Sequence, residues 1–338
     1  MDTAADPRLH TLTQWLTDDL KLDLDDLRPA SSDASFRRYF RATSGDRSYI
    51  AMDAPPQHEE VLPFIRIAER LRAAGIQTPI IHARDLERGF LLLCDFGNRS
   101  YLSALDDDSA DHLYGDAIAS LLRLQQGVPA TGLPLYDEAL LRREMDLFRD
   151  WFLDRLLGPG LTGAESALLE RVWQHLVASA LEQPTVCVHR DYHSRNLMVT
   201  ARDNPGVLDF QDAVAGPASY DLVSLLRDCY IAWPQPRIDA WLADYHRQAA
   251  ARGLTGGAGL EQFRRWFDLM GMQRHLKAIG IFARLRLRDG KSGYLRDIPR
   301  TLDYLRSTAA PYPEFADFCR FLDDRDWSGL QRVIGQAG

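Results

Sequence analysis

Apolar residues recur at helical spacing from the start of the chain. Leu9, Leu12, Trp15, Leu16 and Leu20 fall on one face of residues 7–20, with acids opposite and Pro7 suited to a first turn, so an amphipathic helix is predicted there. Three segments of strand character follow, around Leu27–Ser31, Arg37–Thr43 and Ser48–Asp53, and the turn composition Ser44-Gly-Asp-Arg47 joins the last two as a hairpin. Val61, Phe64, Ile65, Ala68 and Leu71 then return at a period of 3.6 within residues 57–74, and Gly75 supplies the stop. Strands around Ile80–Arg84 and Gly89–Cys94 complete a small β-rich part.

Turn residues interrupt the pattern at Asp95-Phe-Gly-Asn98, which places a boundary between residues 1–95 and 96–338. Beyond it helical periodicity dominates, over roughly 109–126, 137–157, 162–181, 218–231, 236–252, 260–288, 294–308 and 313–336. The exception is a strand-loop-strand block at 184–212. The predicted fold class is α+β: a small β-rich N-terminal lobe and a larger helical lobe.

Composition narrows the functional classes. A hydrophobic fraction of 46% and a charged fraction of 26% are those of a soluble globular protein. A net charge of -8 argues against nucleic acid as a partner, because a phosphate backbone is met by clustered excess Lys and Arg. The four cysteines, Cys94, Cys187, Cys229 and Cys319, lack zinc spacing and read as buried thiols in a reducing compartment. The first residues lack the basic start and apolar core of a signal peptide, and no apolar run approaches the ~20 residues of a membrane span. The expectation is a cytoplasmic protein without membrane or nucleic-acid partners, a monomer or weak dimer.

The chemistry is concentrated in the exceptional block. Val186-Cys-Val-His-Arg-Asp-Tyr-His-Ser-Arg-Asn-Leu-Met-Val199 sets Asp191 and Asn196 five residues apart in a polar loop, and Gly206-Val-Leu-Asp-Phe210 ends an apolar run on Asp209. This is the H-x-D-x-x-x-x-N pattern and following metal-binding Asp of kinase-type phosphoryl transfer. Such a reaction needs an oxygen base beside the acceptor hydroxyl and hard oxygen ligands for Mg²⁺. Asp191 fits the base, Asn196 and Asp209 fit the metal ligands, and His189 fits a brace for the loop backbone.

His189-Arg-Asp-Tyr-His-Ser-Arg-Asn196, Leu208-Asp-Phe210 and Gly216-Pro-Ala-Ser-Tyr-Asp221 resemble the signatures of the aminoglycoside phosphotransferase and choline kinase family. The resemblance implies a two-lobe protein-kinase-like fold, ATP and Mg²⁺ as cofactors, and a structural role for Asp221 in holding the catalytic loop. A narrower likeness runs through Ser31-Ser-Asp-Ala-Ser-Phe-Arg-Arg-Tyr-Phe40, Ala51-Met-Asp-Ala-Pro-Pro56, Leu208-Asp-Phe-Gln-Asp-Ala213 and Met272-Gln-Arg-His-Leu-Lys277. These are similar to the anomeric amino-sugar kinases of bacterial cell-wall recycling. That likeness implies N-acetylmuramate or N-acetylglucosamine as the small-molecule partner beside ATP.

Two departures from the kinase pattern stand out. Ile50-Ala-Met-Asp-Ala54 carries no Lys where kinases place one on the third strand, and the loop Ser31–Arg38 lacks glycines. Phosphate contacts are therefore expected from Ser35 and from Arg37 or Arg38. The hinge Asp95 and Phe96 is expected to meet adenine, and Arg274 on the long helix 260–288 is the candidate for the sugar. Two rivals remain open: an antibiotic kinase of the same fold, to which the acidic run Asp106-Asp-Asp108 would suit a cationic acceptor, and a catalytically inactive nucleotide-binding module.

Overall fold

In the computed structural model, residues 6–31, 36–158 and 160–335 are described. The chain forms two compact units, Met1–Ala104 with Asn196–Asp212, and Leu105–Arg195 with Ala213–Gly338. The first is built on an antiparallel sheet and the second is mostly helical, an α+β architecture.

In the first unit the helix α1 (Pro7–Gln14) runs into a π-helical turn, Trp15–Asp19. Strands β1 (Asp26–Ser31), β2 (Arg38–Ser44), β3 (Arg47–Asp53), β4 (Ile81–Asp85) and β5 (Phe90–Cys94) form a sheet in the order β1-β2-β3-β5-β4. Alternation sends Phe40, Ala42 and Ala51 to one face, where Leu9, Leu12, Trp15 and Leu16 cover them. The helix α2 (Val61–Ala73) lies between β3 and β4 in the chain and buries Val61, Phe64, Ile65, Ala68 and Leu71. After the short helix α3 (Tyr101–Ala104), the inserted segment adds the two-residue strands β7 (Leu197–Met198) and β8 (Gly206–Val207). Main-chain bonds tie this insertion to the unit: Val207 N–H donates to the Gln77 carbonyl at 2.7 Å and Val199 N–H to that of Arg99 at 2.8 Å.

The second unit contains α4 (Ala110–Gly127), α5 (Glu138–Leu147) continued by a π-helical stretch Phe148–Leu157, and α6 (Gly163–Leu181). Strands β6 (Thr185–Val188) and β9 (Val214–Pro217) pair antiparallel and carry the polar loop between them and α7 (Tyr220–Leu226). Helices α8 (Gln235–Ala251), α9 (Leu260–Asp289), α10 (Ile298–Ala309), α11 (Ala316–Asp324) and α12 (Ser328–Gly335) follow. The 30-residue α9 is the central post. It packs tightly on α5 because position 280 is glycine: a Cβ there would lie 2.3 Å from the Leu147 carbonyl carbon.

Two helical expectations change in detail. The segment 218–231 is helical only to Leu226, since Asp228 accepts the N–H of Tyr230 at 2.9 Å and turns the chain. The segment 313–336 breaks at Arg325–Trp327, where Arg325 is extended and Asp326 takes the N–H and hydroxyl of Ser328, starting α12 afresh. Strand β9, with Gly216 and Pro217 in it, was not among the expected elements. No helix among the described residues is long and apolar enough to cross a membrane.

Candidate active site

In the second unit the loop after β6 is held by two carboxylates. Asp221, buried at the start of α7, accepts the backbone N–H of His189 at 2.7 Å and of Arg190 at 3.0 Å. Asp228, also buried, accepts both the N–H and the hydroxyl of Ser194, at 3.0 and 2.5 Å. Between these clamps His189 Nδ1 accepts the N–H of Asp191 at 3.2 Å, and the Tyr192 hydroxyl donates to the Ala117 carbonyl at 2.9 Å. The grip sustains a strained backbone: Arg190 sits at φ +78°, a left-handed conformation that costs a non-glycine residue about 1–2 kcal/mol.

Behind the loop lies an ionic network. The Arg190 guanidinium donates to Glu144 at 2.6 Å, Lys277 Nζ stands 3.0 Å from the same Glu144 oxygen, and the Tyr136 hydroxyl donates to that carboxylate. Lys277 also donates to the Tyr220 hydroxyl at 3.1 Å. Burial pushes the Glu144 carboxyl up, but Lys277 and Arg190 outweigh it and bring the group down to about 2. At Asp191 burial likewise opposes ionisation, and surrounding positive groups, Lys277 foremost, hold the carboxyl below its ordinary value. The candidate base is therefore ionised at neutral pH. Asp221 is shifted the other way: burial raises it to about 7, against the pull of the two N–H groups and Arg274.

Arg274, expected at the sugar, is placed against the loop itself. It donates to the Arg190 carbonyl at 2.8 Å and lies over the Tyr220 ring at 4.5 Å from its centroid. The acidic run has local employment: Asp106 accepts the N–H groups of Asp108 and Ser109, and Asp107 pairs with Arg237 at 3.2 Å. Trp233 donates to the Tyr114 hydroxyl at 2.9 Å and packs on Trp241.

In the first unit the antiparallel ladder of β7 and β8 brings Asn196 and Asp209 near each other, because Leu197 pairs with Val207 and Asn196 therefore lies opposite Leu208, the residue before Asp209. Leu208 N–H donates to the Asn196 carbonyl at 2.9 Å, and the Asn196 amide reaches within 3.4 Å of the Asp209 carboxylate. Asp209 is in the left-handed region at φ +61°, fixed on one side by Phe210, whose ring meets Phe64 of α2 at 4.8 Å, and on the other by Gln211, which donates to Asp209 at 2.8 Å.

The two neighbouring arginines of the expected phosphate loop have different placements. Arg38 is engaged by Asp6 and by Asp53, the buried carboxylate at the end of β3 that also holds Arg8. Arg37 pairs with Glu59 at 2.8 Å, and although burial disfavours its charge, Tyr39, Glu59, Asp212 and Asp209 more than restore it. Arg37 thus lies in the field of the carboxylates at Asp209 and Asp212. Ser35 lies outside the described residues. Asp95 and Phe96, expected at a hinge, lie within the first unit, where the Asp95 side chain is bonded to Arg41 at 2.6 Å, to Ser48 and to the N–H of Gly97. The Phe96 ring packs on Gly206 so closely that a Cβ there would come within 2.7 Å of it.

Sequence reasoning had not assigned Glu59, Glu144, Gln211 or Asp228. Only Asp228 left a visible signal, seven residues after Asp221 and so on the same side of a predicted helix.

A small sheet-based unit, a helical unit and a carboxylate-braced H-x-D-x-x-x-x-N loop define a kinase-type phosphotransferase. Residues 26–263 match the phosphotransferase enzyme family, and the chain belongs to it. It is 49% identical to the N-acetylmuramate/N-acetylglucosamine kinase of Pseudomonas putida over 92% of this chain and 95% of that one. It is 51% identical to the kinase of the same name from Pseudomonas aeruginosa, over 88% of each. Among solved structures it resembles an ADP-bound aminoglycoside phosphotransferase, APH(2'')-Ib, with a TM-score of 0.60 at 15% identity, over 88% of this chain and 98% of that one. It also resembles the choline kinase LicA of Streptococcus pneumoniae, with a TM-score of 0.62 at 12% identity, over 88% of this chain and 99% of that one. At such identities the structural likenesses speak for the fold.

Proposed function

We propose that this protein is an ATP- and Mg²⁺-dependent kinase that phosphorylates the anomeric hydroxyl of N-acetylmuramate and N-acetylglucosamine. The observation that carries the reading is the 49% identity, across 92% of the chain, to a kinase named for those two sugars. The products are sugar 1-phosphates, suited to peptidoglycan recycling in the cytoplasm.

Asp191 is assigned to the acceptor hydroxyl. Held ionised by Lys277 and its neighbours, it orients the hydroxyl and takes its proton as the sugar oxygen bonds to the γ-phosphorus and the bond to the departing ADP breaks. The braces from Asp221 and Asp228 hold the loop backbone on either side of this carboxylate and so keep it in place. Asn196 and Asp209 would hold Mg²⁺: the Asn196 amide nitrogen lies 3.4 Å from the Asp209 carboxylate, so an amide that can turn its oxygen and a carboxylate stand side by side, with other positions left for phosphate and water. When bound, the ion neutralises charge on the transferring phosphoryl group.

Arg37 is assigned to the nucleotide phosphates, in place of the missing third-strand Lys, and its pairing with Glu59 keeps it oriented. Arg38 and Ser35 stay in the proposed phosphate loop, with Arg38 supporting Arg37 through its anchorage on Asp53. The backbone at Asp95 and the Phe96 ring are assigned to adenine, and Arg274 to the acceptor side through the Arg190 carbonyl it holds.

Phosphorus NMR of the protein with ATP, Mg²⁺ and each sugar tests the reading. An anomeric sugar phosphate accumulating with ADP is expected. ATP consumed only with an aminoglycoside, or bound without transfer to any sugar, would reject it.

A further inference from the structure

Arg195, the last loop residue before Asn196, has no place in the scheme above. Its guanidinium lies 3.7 Å from the centroid of the Tyr230 ring and 5.4 Å from that of Tyr294, and among the described residues it makes no hydrogen bond or ion pair. Four other basic groups of this region are committed: Arg190 and Lys277 to Glu144, Arg274 to the Arg190 carbonyl, Arg227 to Asp268. We propose that Arg195 receives the carboxylate of an acidic acceptor sugar and so sets the preference for N-acetylmuramate over the uncharged N-acetylglucosamine. This rests on the amino-sugar reading and deepens it by assigning the part of the site that separates the two acceptors.

Three observations carry it. The cradle is built rather than accidental, since a single carboxylate fixes both its sides: Asp228 accepts from Ser194, the residue before Arg195, and from the N–H of Tyr230, the ring beneath it. Stacking on a ring face satisfies the guanidinium's charge but leaves its in-plane N–H donors directed outward, the edge that a planar carboxylate matches with two parallel bonds. The rings are themselves braced, since Tyr294 stacks on Phe282 at 5.6 Å and Tyr230 stands beside the same ring.

The nearby acids do not take the arginine. Asp228 is occupied as described, and Asp297, whose carboxyl burial raises against Arg195 as its foremost opposing charge, makes its ion pair with Arg300 at 3.7 Å. Nucleotide phosphate is the other oxyanion of the reaction. The acceptor carboxylate is favoured because both rings that cradle Arg195, those of Tyr230 and Tyr294, belong to the helical unit that carries Asp191, the proposed acceptor base.

The test compares the parent with Arg195→Gln and Arg195→Lys, measuring kcat/KM for each sugar, KM for ATP and the melting temperature. The expected result is a drop of about tenfold to a hundredfold in the N-acetylmuramate to N-acetylglucosamine ratio of kcat/KM in Arg195→Gln. A smaller drop is expected in Arg195→Lys, which keeps the charge but loses the fork. An equal fall on both sugars with a raised KM for ATP would assign Arg195 to phosphate and overturn the proposal. So would an equal fall accompanied by a lower melting temperature, which marks a structural role, or an unchanged ratio. A parent that phosphorylates neither sugar would instead remove the amino-sugar reading beneath it.

Discussion

The loop of residues 189–195 and the end of β3 solve opposite electrostatic problems. In the loop the carboxylate proposed as base, Asp191, is kept ionised by cations while other carboxylates, Asp221 and Asp228, hold the backbone. At the end of β3, where kinases place a phosphate-binding Lys, the carboxylate of Asp53 is wholly buried and knots Arg8 and Arg38 together. The same residue type presents charge in one place and consumes it in the other. What separates them is the number of backbone donors and cations each carboxylate faces, so a motif position alone does not give a role.

Placing a lysine at position 53 would break this contrast most severely. The Asp53→Lys variant sets a cation against Arg8 and Arg38 in a buried position, and should unfold the first unit or lower the global stability by about 3–5 kcal/mol, the scale of an uncompensated buried charge. Thermal or denaturant unfolding reads this directly. Stability within about 0.5 kcal/mol of the parent would show that the arginines do not depend on the carboxylate.

A subtler variant sharpens the other side. Removing Lys277, the foremost positive influence on Asp191, should let burial raise that carboxyl. A base with a depressed pKa loses activity only as pH falls through that low value. In Lys277→Met the acid limb of the kcat profile should therefore move to higher pH, while the plateau at neutral pH changes less. An acid limb that stays where the parent has it would remove Lys277 from control of the base.

Much of the fold was legible because its signals are local. Leu9, Leu12, Trp15 and Leu16 declare a helix by spacing alone, and the β2–β3 hairpin follows from its turn composition. The break at Arg325–Trp327 was not legible, because apolar periodicity continues across it and only the bonds of Asp326 show the interruption. Strand β9 was not legible because glycine and proline both weaken strand character, and only the pairing with β6 reveals it.

The candidate site divides along the same line. Asp191, Asn196 and Asp209 could be proposed together because they sit within one short block of chain, and the structure brings Asn196 beside Asp209. The partners that hold the arginines around these residues come from far away in sequence: Glu144 is 46 residues from Arg190, and Glu59 is 22 from Arg37. No spacing rule encodes such pairs, because tertiary packing alone brings them together. Which of two adjacent arginines faces Asp209 was likewise decided by Asp53, an acid whose partners the sequence did not disclose.

The central claim is that the loop is braced so that one ionised carboxylate can serve the acceptor hydroxyl. It is tested most directly by the turnover number of Asp191→Asn with N-acetylmuramate and saturating ATP and Mg²⁺. The variant keeps the size of the side chain and removes its charge, so folding and ATP binding should survive while kcat falls by about 100- to 10,000-fold. A folded variant that turns over within a few-fold of the parent would contradict the assignment.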